Sequence, residues 1–108
     1  MRFFITESGR KQVGGSCYFE FQKGHEKKSY WMDDSLLLHM DIADEIALYK
    51  IIPDFKYYGD NRIDREKWGA ILANAENAGG KAEDVINELC GWAGDNFKEF
   101  DHFMIFGI

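Results

Sequence analysis

Carboxylates are the most abundant chemical resource of this chain. Asp33 and Asp34 are adjacent, Asp41, Asp44 and Glu45 fall close together, Asp60 and Asp64 follow, and Glu83/Asp84/Glu88 and Asp95/Glu99/Asp101 complete the series. Two carboxyls facing one cleft could do general acid–base or glycosidic chemistry. Most of these, however, stand at expected helix starts, where a carboxylate caps backbone N–H groups and complements the helix dipole. They read as caps and solvated faces rather than a catalytic pair. His25, His39 and His102 lack His-x-x-x-His spacing and have no neighbouring cysteine, which argues against a metal site. His39-Met-Asp41 offers one imidazole and one carboxylate, short of a facial triad. Cys17 and Cys90 are 73 residues apart, outside any CxxC. On apolar or semi-buried positions they read as inert buried thiols rather than nucleophiles or a disulfide. No serine sits in a nucleophile elbow. Gly79-Gly80-Lys81 could hold an anion at a helix start, but reads better as a helix–helix turn, and GxGxxG is absent. The expectation is a protein that is not an enzyme and carries neither cofactor nor metal.

The elements that must position these residues follow from periodicity. Residues 2–7 are aromatic and β-branched and predict a strand; the Gly- and Ser-rich stretch 8–15 predicts a loop. Over 16–22, Cys17, Phe19 and Phe21 alternate with Ser16, Tyr18, Glu20 and Gln22, the pattern of a half-buried antiparallel strand with the second set facing water. A turn at 23–26 and a third strand over 28–32 would complete a meander. Asp41 is placed as the N-cap of a helix that buries Ile42, Ile46 and Tyr49, with Leu48 at the margin of that face, and stops before Pro53, with Ser35–His39 ambiguous between strand and helix. A short extended piece over 55–58 and a turn at Gly59-Asp60-Asn61 come next. Asp64 caps a helix over about 65–78 that turns Trp68, Ile71, Leu72 and Ala75 inward. A second helix spans about 82–100, with Val85, Ile86, Leu89, Ala93, Asn96 and Phe97 on one face. Gly91 and Gly94 weaken its middle, so close packing or a kink is expected there. The apolar end, 102–108, belongs inside the sheet, beside residues 2–6, because an exposed edge of that composition invites aggregation. The expected fold is α+β: one domain, residues 1–108, an antiparallel sheet of an N-terminal meander plus a C-terminal strand, with about three helices packed on it.

The chain has 108 residues, 45% of them apolar, with a single proline and a formal charge of -6. That size supports one core without disulfides or metal. The apolar runs are too short to span a bilayer, and the start lacks the apolar stretch of a secretory signal, so a cytoplasmic location is expected. Net acidity speaks against direct nucleic-acid binding. The charge is segregated: residues 1–32 hold 6 basic and 3 acidic side chains, a balance of +3, and residues 33–108 hold 7 and 16, a balance of -9. A field of one sign steers oppositely charged partners, so an electrostatic function is expected on the helical side. Trp31 stands beside Asp33 and Asp34, Tyr57 and Tyr58 beside Asp60, and Trp92 before Asp95. Aromatics ringed by charge have the composition of interface hot spots. The candidate partner-binding residues are therefore Trp31, Asp33, Asp34, Asp41, Asp44, Glu45, Tyr57, Tyr58, Asp60 and Asp64.

In size, acidity, element order and segments such as Ile52-Pro-Asp-Phe-Lys-Tyr-Tyr-Gly59 and Arg65-Glu-Lys-Trp68, the whole chain resembles the bacterial immunity proteins of polymorphic-toxin and contact-dependent growth inhibition systems. The resemblance implies a stoichiometric inhibitor of a cognate toxin domain, often a nuclease with a basic cleft, whose active site it occludes. Two other readings use the same residues: a small ligand-binding domain or enzyme with a cleft between sheet and helices around His39 or His102, and a homo-oligomeric adaptor that pairs through its sheet.

Overall fold

Phe19 and Phe21 alternate with Glu20 and Gln22 along one strand, and that period of two sets the two faces of a single antiparallel sheet. A computed structural model describes residues 1–25 and 30–107. In chain order the elements are β1 (Phe4–Thr6), α1 (Glu7–Val13), β2 (Tyr18–Lys23), β3 (Leu36–His39), α2 (Met40–Glu45), α3 (Leu48–Ile51), β4 (Asp60–Asp64), α4 (Arg65–Ala78), α5 (Gly80–Glu99) and β5 (His102–Phe106). The five strands lie in the order β1-β3-β2-β5-β4, every neighbouring pair antiparallel. The fold is α+β.

The N-terminal meander is corrected by this order. Residues 28 and 29 of the expected third strand, and residue 26 of the turn before it, lie outside the described residues, and Tyr30–Met32 is not strand; β3 is Leu36–His39 instead. Its three leucines are buried on both faces, so β3 takes an inner place between β2 and the three-residue β1, which is left at the edge. The apolar strand β5 is interior, but between β2 and β4, not beside residues 2–6.

Among the described residues five helices form rather than about three. The stretch expected as a loop after β1 is α1, capped by the Thr6 hydroxyl, which accepts the Gly9 N–H at 3.2 Å. The helix expected to run from Asp41 to Pro53 is broken in two at Ala47, which adopts left-handed φ 51°. The break carries Leu48, Ile51 and Ile52 into the core and leaves Tyr49, expected inside, 62% exposed. His39 rather than Asp41 caps α2: its Nδ1 accepts the Asp41 N–H at 3.0 Å. Residues Asp60 and Asn61, expected as a turn, open β4.

The two long helices form where the periodicity puts them. Asp64 caps α4, its Oδ1 accepting the Lys67 N–H at 2.8 Å, and Gly79 and Gly80, both at positive φ, turn the chain into α5. All six residues expected on the inner face of α5 are buried. Gly91 and Gly94, in contrast, are exposed and would have nothing within 4 Å of an added Cβ, so close packing is not the reason for them. Cys17 is exposed and Cys90 half-buried, both as free thiols, which corrects the expectation of two buried ones.

One sheet face carries Phe4, Phe19, Phe21, Leu36, Leu38, Ile63, Phe103 and Ile105 against helical side chains including Ile46, Ile71, Val85, Leu89 and Phe97. Phe103 packs its ring against those of Trp68, Trp92 and Phe97, so the space between sheet and helices is filled. Asn61 and Asn96 add polar anchors to this layer. Asn61 accepts the Lys56 N–H at 2.7 Å and donates to the carbonyls of Lys56 and Ile105, holding the irregular segment after Pro53 on the sheet.

The opposite face is not simply solvated. Glu20 and Gln22 are each 2% exposed and Leu37 is fully buried, where the alternation predicted a wet face. The short helix α1 packs on β1 and β3 here, with Trp31 lying over Arg10. Among the described residues no buried side-chain nitrogen or oxygen lacks a hydrogen-bond partner.

Candidate functional site

The segment after Pro53 cannot continue a helix, and Asn61 pins it so that Tyr57 and Tyr58 are presented beside α2. The Tyr57 ring packs edge-on against Phe19 in the core, at 5.1 Å between centroids. Its hydroxyl lies 3.4 Å from Oδ1 of Asp44. Tyr58 packs on Tyr57 at 4.9 Å and is otherwise 82% exposed. Burial first, and then the Asp44 carboxylate, Tyr58 and more distant Asp41, raise the Tyr57 phenol above its usual 10. Phenols so surrounded stay neutral at physiological pH and can donate hydrogen bonds.

This geometry unites four of the ten expected partner-binding residues, Asp41, Asp44, Tyr57 and Tyr58, into one patch. Asp60 opens β4 just after it but falls in the cross-strand row of Phe106 and Glu20, on the opposite face of the sheet; beside the patch, Gly107 donates its N–H to the Gly59 carbonyl at 2.9 Å. A Cβ on Gly107 would collide with the backbone carbonyl of Tyr57, so a glycine is needed where the tyrosine loop crosses the end of β5.

The remaining five go elsewhere. Glu45 is paired with Lys81 at the start of α5. Asp64 lies at the far end of β4, its carboxylate committed to the α4 cap. Asp34 is bound on two sides: its side chain meets His25 Nε2 at 2.8 Å, and its carbonyl accepts the Trp92 indole N–H at 2.8 Å. Asp33 is exposed beside it. Trp31 is half-buried over the back face of the sheet, its ring under the Arg10 guanidinium at 4.2 Å. The acids after residue 32 therefore do not form one helical surface. Several are internally satisfied: Glu88 accepts the N–H groups of Phe3 and Phe4, and Asp101 is held below its usual 3.8 by His102 first and then Arg62.

A second constellation escapes the sequence reading. On the back face, Glu20 Oε1 accepts the Trp31 N–H at 2.8 Å, and Oε2 accepts the Met32 N–H at 3.0 Å and the Ser35 hydroxyl at 2.6 Å. Ser16, Tyr18, Glu20, Tyr30, Trp31, Phe106 and Gly107 line a hollow of about 120 Å³ above it. The only signal in the sequence was a glutamate inside an aromatic strand, and the strand's period of two assigned it to solvent.

Among the described residues no group of three or more His, Cys, Asp or Glu side chains is arranged to hold a metal ion, and no helix is long and apolar enough to cross a membrane. No family model, curated protein or solved structure matches the chain.

Proposed function

We propose that the chain is an immunity protein of the polymorphic-toxin class, a cytoplasmic inhibitor that binds a basic toxin domain and occludes its active site. The observation that carries this reading is Tyr58: a large aromatic 82% exposed, seated on Tyr57, with Asp44 on the other side of Tyr57. An exposed tyrosine supplies broad contact area at small conformational cost, and carboxylates at its rim complement lysines and arginines. Burial of Tyr57 and its hydroxyl contact hold the patch in place before binding, which reduces the ordering cost. Against a nuclease, Asp41 and Asp44 would stand where substrate phosphates bind, closing the substrate path.

The test is co-expression with the product of the gene immediately upstream, followed by capture of the complex and a viability assay. A complex with relief of toxicity is expected; neither appearing would sink the reading. Within a complex, Asp41→Lys with Asp44→Lys should slow association about tenfold and flatten its salt dependence, whereas Tyr58→Ala should speed dissociation by about tenfold or more. Unchanged kinetics in both would move the interface off this patch.

A further inference from the structure

The hollow on the back face combines an aromatic lining with a buried carboxylate. Glu20 is 2% exposed, and its oxygens accept the Trp31 and Met32 N–H groups, the Ser35 hydroxyl and, at 3.4 Å, the Gln22 amide. Among the described residues it makes no ion pair. Arg10, stacked on Trp31, spends its hydrogen bonds elsewhere: its Nε and an NH2 group donate to the two oxygens of Glu7 at 2.8 and 2.7 Å, and its other NH2 group to the Gly15 carbonyl. Glu7, Arg10 and Glu20 together leave one negative charge in excess beneath the hollow. A carboxylate buried beneath a hollow gives it a negative field that attracts a cation.

The walls are of the right kind. Tyr18, Tyr30, Trp31 and Phe106 surround the space, and the ring faces of tyrosine, tryptophan and phenylalanine attract cations. Tyr30 is 67% exposed and braces Phe106 edge-on at 5.3 Å, so the hollow is reached from solvent past its ring. Trp31 already stacks one cation, Arg10, at 4.2 Å. It is held there at φ 63°, a conformation unusual for a bulky residue, by the Glu20 hydrogen bonds to its own and the next N–H. Asp60 lies in the same cross-strand row as Phe106 and Glu20 and adds negative charge at the rim.

We propose that this hollow is a binding site for an organic cation of the alkylammonium class, taken up between the four aromatic rings above Glu20. The inference stands apart from the toxin reading, since no protein partner is needed to test it. The source of the cation is either a free methylated amine or a lysine side chain presented by another protein.

The experiment titrates the full chain with tetramethylammonium chloride at constant ionic strength, reading the indole N–H resonance of Trp31 by NMR. Tert-butyl alcohol, a neutral molecule of similar shape, and Nα-acetyl-lysine amide are run in parallel. The expected result is saturable binding of the cation about tenfold tighter than of the alcohol, weakened several-fold in Tyr30→Ala and kept in Tyr30→Phe. Tyr30→Ala removes an exposed ring, and its unfolding midpoint checks that the fold persists. Binding of the lysine amide as tight as tetramethylammonium assigns the site to a partner's lysine; tetramethylammonium alone assigns it to a free amine. Equal response to cation and alcohol, no saturation, or an unaltered titration in Tyr30→Ala overturns the proposal.

Discussion

Tyr57 and Asp44, 13 residues apart in the chain, meet where the phenol O–H donates to Oδ1 of the carboxylate at 3.4 Å. The contact joins the irregular segment after Pro53 to the end of α2, and it ties an aromatic packed on the core to an exposed acid. Tyr57 should therefore titrate above the ordinary 10, because burial and, after it, the Asp44 charge both disfavour the phenolate. In Asp44→Asn the Tyr57 midpoint should fall part of the way back, burial being untouched. A pH titration of the Tyr57 ring resonances measures it. A midpoint that does not move in Asp44→Asn would show burial acting alone.

Asn96 is the polar clamp of the fold. Fully buried on α5, it accepts the Gly24 N–H and donates to the His102 carbonyl, each at 2.9 Å, so one side chain holds the end of β2 and the start of β5. Asn96→Ala strips partners from two backbone groups at once. The expected loss is about 3 kcal/mol of unfolding free energy, read from urea denaturation. A loss under about 1 kcal/mol would mean that water takes over both hydrogen bonds.

Gly91 and Gly94 make the opposite case. Both lie inside α5, both are exposed, and an added Cβ at either meets nothing within 4 Å. Replacing each by alanine should raise stability by about 0.5–1 kcal/mol, since a helical conformation then costs less backbone entropy. If activity or partner binding falls while stability rises, the glycines serve the helix's outer surface rather than its packing. Gly24→Ala is the contrast: its Cβ would strike the His102 carbonyl and the Phe100 ring, and a clear destabilisation is expected.

The parts of the fold legible from the chain were those where one local signal agreed with one tertiary role. Asp64 before a 3.6-residue apolar period fixed the start of α4, and Gly79-Gly80 fixed its end. Val85 through Phe97 named the buried face of α5 except for Ala82 in its first turn. The misses arose where a tertiary contact overrode the local signal. Glu20 and Gln22 fit a solvated strand face, but α1 and the Trp31 segment cover that side of the sheet. The Ser- and Gly-rich stretch after Thr6 looks like a loop; a Thr6 cap and the Glu7–Arg10 pair, three residues apart, make it helical. Likewise, the acidic count after residue 32 could not say which carboxylates are spent on caps and ion pairs. Asp64 and Glu45 are, whereas Asp44 meets a tyrosine.

The Glu7–Arg10 pair sets a pH dependence whose sign can be worked out. Glu7 is 3% exposed, and the hydrogen bonds from Arg10 are the first cause that holds its carboxyl below the usual 4.5, against an opposing push from burial. A folded-state value below the unfolded one means that the unfolded chain binds the proton more readily. The pair's contribution is thus complete above about pH 4.5 and is lost as the pH falls through the lower, folded value. Glu7→Gln removes that titration and leaves the Arg10 guanidinium with a weaker partner. It should cost about 2 kcal/mol at neutral pH, with the gap to the unaltered protein closing as the solution is acidified. Denaturation midpoints of both proteins from neutral pH down into the acid range provide the measurement. Two parallel curves would mean that Glu7 carries no linked proton and that other carboxylates set the acid limit of the fold.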